Sequence, residues 1–181
     1  RRWLRVVKMR GSHHLEGKHT FRIGTRGFEV YPRIETLDSG EAAQVTGRIR
    51  SGIPRLDELM DGGIGSGETT VVLGPSGVGK TIFGLSFVGE GLAHGDRCLY
   101  VTFQDTSDQL VKMAAGFGWD LGSARASGQL AVHHVPLGEL DLDMLTAGIG
   151  RELVGGTIRR VVIDSLAELV FAADRSVMHA G

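Results

Sequence analysis

A single cysteine, Cys98, leaves this 181-residue chain without any disulfide framework. It stands in the apolar run Arg97-Cys98-Leu99-Tyr100-Val101, where a buried strand residue is the expected role. No run is long or apolar enough to span a bilayer, and no signal-peptide pattern is visible, so a soluble, reducing, cytoplasmic setting without membrane attachment is expected. Lysine is scarce, and so is net charge, which is −1 overall. That small sum hides an uneven division. Residues 1–50 hold eleven Lys and Arg against five Asp and Glu, a balance of +6, and the remainder holds nine against sixteen, a balance of −7. Such asymmetry hints that two different units are joined. An initial methionine is also lacking, and Arg1-Arg2-Trp3-Leu4-Arg5-Val6-Val7-Lys8 reads as if in mid-strand, so a fragment of a longer protein is expected.

Glycine, by contrast, is abundant: 28 residues, about twice ordinary usage, which suits a chain of many short strands and turns. The rest of the sequence is organised around Thr69 to Thr81. Thr69-Thr70-Val71-Val72-Leu73 reads as a buried strand delivering Gly74-Pro75-Ser76-Gly77-Val78-Gly79-Lys80-Thr81 to the start of a helix. This is the spacing G-x-x-x-x-G-K-[ST] of a phosphate-binding loop. Its glycines let successive backbone N–H groups converge on one concavity. Lys80 brings a mobile positive charge, Thr81 a hydroxyl for a magnesium shell, and the helix its positive end. A Gly-rich hairpin matching by accident would lack the flanking strand and helix patterns.

Upstream, Trp3 to Met9, Thr20 to Ile23 and Phe28 to Tyr31 read as three β segments, with too few apolar residues for a core of their own. The string Met9-Arg10-Gly11-Ser12-His13-His14 resembles a tag scar, although a tag would not sit between two strand patterns. His13 and His14 have no acidic or cysteine partner at ligand spacing and read as an exposed loop pair. Residues 33–50 are a linker candidate. Ser51 or Gly52 can start a short helix with Pro54 in its first turn and Leu56, Leu59 and Met60 as its apolar stripe. Asp61 to Glu68 reads as a flexible approach to the central strand.

Downstream, Ile82, Leu85, Phe87 and Val88 fall at helical spacing up to His94-Gly95. Strands are expected over Arg97 to Phe103, Leu130 to Val135 and Val161 to Asp164, with helices from about Thr106 and over Leu137 to Leu153. Alternation of this kind implies a parallel sheet covered by helices, with its ligand at the carboxyl ends of the strands. Asp164, closing an apolar strand, suits an acid that holds magnesium directly or through water. A helix cap is the plainer alternative. Gln104-Asp105, ending another strand, stands where a side chain can orient or deprotonate attacking water.

The segment from Ser51 to Ile64, the loop Gly74 to Thr81, the strand ending Gln104-Asp105-Thr106 and the segment Arg160 to Ser165 together resemble the KaiC family of RecA-like ATPases. The resemblance implies an α/β fold: a RecA-like P-loop core with a mostly parallel sheet flanked by helices, plus an N-terminal β segment from a preceding domain. Residues 1–32 would be the closing strands of a first domain, 33–50 a linker, and 51–181 most of a second ATPase domain. It implies ATP and Mg2+ as ligands, cytoplasmic location, a homo-oligomeric ring, a hexamer in this family's manner, and signalling or clock partner proteins. Lys80, Gln104 and Asp105 would be the catalytic residues. Two carboxylates are usual at the last two positions. Gln104 cannot accept a proton, though an amide can orient water, so slow hydrolysis with intact binding is expected. Lys8 and Arg10 match the family's Lys-x-Arg pair, which resembles a finger reaching the phosphates of a neighbouring subunit, and strand alternation would put both on one face. A solvated basic edge is the plainer reading of that pair. The family's phosphoacceptor residues would lie past Gly181.

Two other functions compete with a regulatory ATPase. A recombinase or helicase-type motor on the same core would bind DNA, which the basic first 50 residues allow and the acidic remainder disfavours. A nucleotide-gated interaction module would use ATP to hold subunits together and rarely cleave it.

Overall fold

The computed structural model describes residues 2–25, 27–32, 46–137, 140–167 and 170. In chain order its elements are β1 (Trp3–Leu4), β2 (His19–Gly24), β3 (Gly27–Tyr31), β4 (Arg48–Ile49), α1 (Pro54–Leu59), β5 (Ile64–Gly65), α2 (Lys80–Ala93), β6 (Arg97–Thr102), α3 (Ser107–Ala115), α4 (Leu121–Ala126), β7 (Leu130–His134), α5 (Leu142–Leu153) and β8 (Ile158–Asp164). They divide into two units: β1 to β3 with α5 form one, and the remaining elements form the other.

In the first unit β1, β2 and β3 form an antiparallel sheet in that order. Thr20 stands opposite Tyr31, and both are buried, while Phe21 and Phe28 on the other face stack with ring centroids 4.4 Å apart. Asp141 caps α5 by accepting from the backbone of Asp143 and Met144, and the Thr20 hydroxyl donates to Asp143 Oδ2 at 3.1 Å. Arg151 of α5 donates to Glu29 Oε1 of β3 at 3.0 Å.

The second unit is built on a parallel sheet of order β7-β6-β8, flanked by helices. Register sets Tyr100 opposite Val162 and Thr102 opposite Asp164. Period-two alternation therefore puts Cys98, Tyr100, Thr102, Arg160, Val162 and Asp164 on one face. That face packs under α2: Leu85, Val88, Cys98 and Tyr100 join Leu110 and Ala114 of α3, Leu121 and Ala124 of α4, and Leu130 in one buried cluster. The helix α3 starts where a capping box forms, with the Thr106 hydroxyl accepting from Gln109 N–H and the Gln109 side chain accepting from Thr106 N–H. This architecture is the α/β core expected from the sequence, with an N-terminal antiparallel segment in addition.

Several expected elements differ. Thr69 to Leu73 is exposed and unpaired among the described residues, with Leu73 84% exposed. Its apolar pattern carries the propensity of a strand, yet an extended segment becomes one only when a neighbour takes up its backbone groups. The first β segment is confined to Trp3–Leu4, and its last pair sets Leu4 opposite His19, the first residue of β2. Lys8 and Arg10 consequently stand outside any strand. The approach expected to be irregular at Asp61 to Glu68 contains β5, paired with β4, and α4 is an additional helix. The helix expected over Leu137 to Leu153 begins at Leu142, and the strand expected from Val161 begins already at Ile158. In α1 the buried residue is Asp57, which accepts from Ser51 N–H at 2.8 Å, and Leu59 faces solvent. Residues 33–45 of the expected linker lie outside the described residues.

Candidate functional site

Gly77 and Gly79 have φ of 79° and 99°, the left-handed region that a side chain makes costly. A Cβ at either position would meet nothing within 4 Å, so the requirement there is conformational rather than spatial. Gly74 serves differently: a Cβ on it would come within 2.8 Å of Val78 Cγ1. Pro75, Ser76 and Val78 complete an exposed loop, and Gly79 is the N-cap of α2. Lys80, the first residue of that helix, donates from Nζ to the carbonyls of Gly74 at 2.9 Å and Pro75 at 2.7 Å. Its charge is thereby folded back onto the arm of its own loop.

Thr81 Oγ1 donates to Asp164 Oδ2 at 2.7 Å, joining the loop to the carboxyl end of β8. Tyr100 Oη donates to the same oxygen at 3.0 Å. Tyr100 is fully buried. Burial, then the Asp164 charge and hydrogen bond, then the charge of Asp105, push its phenol far above the ordinary range, so it remains a donor at physiological pH. Thr102, opposite Asp164, holds the turn after β6: its hydroxyl donates to Asp105 O at 2.9 Å and accepts from Asp105 N–H at 3.2 Å. The turn presents Gln104 to solvent and leaves Asp105 half-buried.

A hydroxyl and a carboxylate in contact beside a lysine-bearing loop suit a small divalent cation with oxygen ligands, and the residues present fit Mg2+ in their chemistry. The loop, Thr81, Asp164 and the Gln104-Asp105 turn thus share the carboxyl end of the sheet. Lys8 and Arg10 belong to the other unit and are exposed, as is His13; His14, expected to be exposed with it, is half-buried. Among the described residues no cluster of His, Cys, Asp and Glu is arranged to hold a metal, and no helix is long and apolar enough to cross a membrane. A shallow groove of about 420 Å³, bordered by Leu92, Trp119, Ser123 and Gln129, lies where β7 begins, away from the phosphate loop.

Tyr100 is a residue of this site that the sequence reading does not single out. Its signal is a phenol inside the run Cys98 to Val101, since a buried phenol needs a polar partner.

Comparison with known proteins matches residues 49–180 to the family described as "ATPase: KaiC". The circadian clock oscillator protein KaiC of Synechococcus elongatus is 32% identical over 169 residues, covering 93% of this chain and 32% of that protein. The circadian clock protein KaiC3 of Synechocystis is 33% identical over 133 residues, 73% of this chain and 26% of its own. The UPF0273 protein MK0039 of Methanopyrus kandleri is 36% identical over 104 residues, 58% of this chain and 38% of its own. This chain spans about a fifth to a third of the length of the clock proteins that it matches.

Proposed function

The chain belongs to the KaiC family of ATPases, and from that premise we propose that it binds ATP with Mg2+, hydrolyses it slowly and assembles with copies of itself into a ring. The observation that carries the reading is the 2.7 Å bond between Thr81 and Asp164, which fastens a P-loop to an acid at a strand end. Backbone N–H groups of Gly74 to Gly79 and the Lys80 ammonium bind the phosphates, for which Lys80 must leave the Gly74 and Pro75 carbonyls. Thr81 and Asp164 hold the metal. Bound Mg2+ neutralises charge that develops on the phosphate oxygens. Gln104 orients the attacking water through its amide, and Asp105 is the remaining carboxylate beside it. Lacking a base at position 104, the chain turns ATP over slowly.

Residues 1–32 close a preceding domain and the chain from residue 51 belongs to a second, although α5 groups with β1 to β3. Lys8 and Arg10 reach the phosphates of a nucleotide held by the preceding domain of a neighbouring subunit in a hexameric ring, not those held by the Gly74–Thr81 loop, and the ring works in the cytoplasm with signalling or clock proteins as partners. The family match favours this reading over a DNA-handling motor.

Equilibrium binding of a fluorescent ATP analogue, steady-state phosphate release and mass measured with ATP, with ADP and without nucleotide test the proposal together. Binding that needs Lys80, slow release and a mass that rises with ATP are expected. Rapid turnover that Gln104→Ala leaves unchanged would overturn the role of Gln104, and a mass indifferent to ATP would overturn the ring.

A further inference from the structure

We propose that Tyr100 is a positioning residue for the metal-holding carboxylate: its buried hydroxyl fixes Asp164 so that one oxygen is committed to the protein and the other is presented to the metal. The inference rests on the reading of Thr81 and Asp164 as the Mg2+ residues.

Both recorded side-chain donors to Asp164, Thr81 Oγ1 at 2.7 Å and Tyr100 Oη at 3.0 Å, reach Oδ2. A carboxylate oxygen accepts in about two lone-pair directions, so this pair fills Oδ2 and leaves Oδ1 with the free capacity. The two donors come from different elements. Thr81 lies on α2, next to a loop that must rearrange when Lys80 turns from its own carbonyls to phosphate. Tyr100 lies on β6, the middle strand of the sheet, and is 0% exposed. Of the two, the phenol is the immobile anchor. It keeps the carboxylate plane set while the loop side exchanges partners.

Helix packing makes this contact available. Tyr100 stands opposite Val162, two residues before Asp164 on the neighbouring strand and on the same face. Its ring passes beneath Gly84 of α2, where an added Cβ would come within 3.2 Å of the hydroxyl and 3.0 Å of Val162 Cγ1. The absent side chain at Gly84 leaves the depth a tyrosine needs to reach the strand end. Phenylalanine would satisfy the same burial, so only the hydroxyl distinguishes the positioning role from packing.

The test uses the full chain and a fluorescent ATP analogue titrated with Mg2+. Tyr100→Phe is expected to raise the Mg2+ concentration that gives half-maximal tightening by about five- to twentyfold, with analogue affinity in EDTA and thermal stability nearly unchanged. An unchanged Mg2+ midpoint in a folded Tyr100→Phe protein overturns the role of Tyr100. Asp164→Ala separates the two levels. If it abolishes the Mg2+ effect while Tyr100→Phe does not alter it, only the positioning role falls; if Asp164→Ala is also without effect, the metal reading falls and takes the inference with it. A measurement on the unaltered protein covers a variant that does not fold. The sequence has two tyrosines, so ζ-13C-tyrosine NMR with Tyr31→Phe for assignment follows Tyr100 directly. Its resonance is expected to shift when Mg2+ is added to the nucleotide-bound protein, and a resonance indifferent to Mg2+ overturns the proposal.

Discussion

Arg160 Nε donates to Asp96 Oδ2 at 2.8 Å on the same sheet face that carries Asp164 four residues further along β8. The guanidinium is 5% exposed and also donates to the carbonyls of Arg50 at 2.7 Å and Phe87 at 3.0 Å, with the Phe87 ring 4.6 Å away. One side chain thus ties the segment before α1, the middle of α2 and the turn before β6 to the strand that ends in the candidate metal acid. Its room comes from Gly91, where a Cβ would stand 2.4 Å from Arg160 Cδ and Nε.

Arg160→Met is therefore expected to destabilise the fold by about 3 kcal/mol, since it strands a largely covered carboxylate and two carbonyls. Arg160→Lys should recover little, because an ammonium cannot reproduce the planar fork that serves three acceptors at once. Urea denaturation at neutral pH measures both, and a loss under 1 kcal/mol for Arg160→Met would show that the network contributes little.

Two glycine substitutions should separate binding from stability. Gly79→Ala meets no neighbouring atom but must hold φ near 99°, a conformational cost of about 1–2 kcal/mol confined to the loop. It should impair nucleotide binding at least tenfold while leaving the thermal midpoint within a few degrees. Gly91→Ala has ordinary φ but drives a methyl group into Arg160 and Cys98, so its loss should appear in the thermal midpoint instead. Equal effects of the two on stability would contradict this division.

Cys98 is 1% exposed, and burial pushes its thiol up to about 11, with the nearby Arg160 cation opposing and Asp96 adding to the shift. The folded state therefore favours the neutral thiol. Stability from this group is fully present below the unfolded thiol value near 9 and is lost as pH rises from there through about 11, the window in which the unfolded chain ionises first. Cys98→Ser should flatten the decline of stability over that window. In the native protein at pH 8 a thiol reagent should label Cys98 only as fast as the fold opens, and rapid labelling of folded protein would refute the burial.

The sequence disclosed what depends on local chemistry. The P-loop spacing, a helix start near Thr106, apolar strands expected over Arg97 to Phe103 and Leu130 to Val135 and found over Arg97–Thr102 and Leu130–His134, and Asp164 at a strand end all follow from residue type and spacing. It did not disclose what depends on a partner. Thr69 to Leu73 has a strand's composition, but pairing is decided by which edge lies beside it, and β1 ends with the pair Leu4 and His19 although its own pattern runs on to Met9. Asp57 replaced Leu59 as the buried residue of α1 because Ser51 N–H needed an acceptor six residues away, a need visible only once both were placed. Tyr100 was hidden for the same reason, its hydroxyl answering to a residue 64 positions later.

Gln104 gives the most direct test of the chemistry. It is exposed, on a turn clamped by Thr102, which pairs with Asp164, so a substitution there perturbs no core packing. An amide can hold a water molecule but cannot take its proton, whereas a carboxylate of the same length can do both. Gln104→Glu should therefore raise ATP turnover, by about ten- to a hundredfold, with analogue affinity changed less than threefold. Gln104→Ala should lower turnover below that of the native protein, because the water loses its guide. The pH profile gives a further sign: the Glu variant should lose activity as pH falls and the new carboxylate is protonated, while the native protein, with no base at that position, should show a flatter acid limb. If Gln104→Glu turns ATP over no faster than the native chain, the missing carboxylate is not what limits hydrolysis, and the role proposed for Gln104 falls.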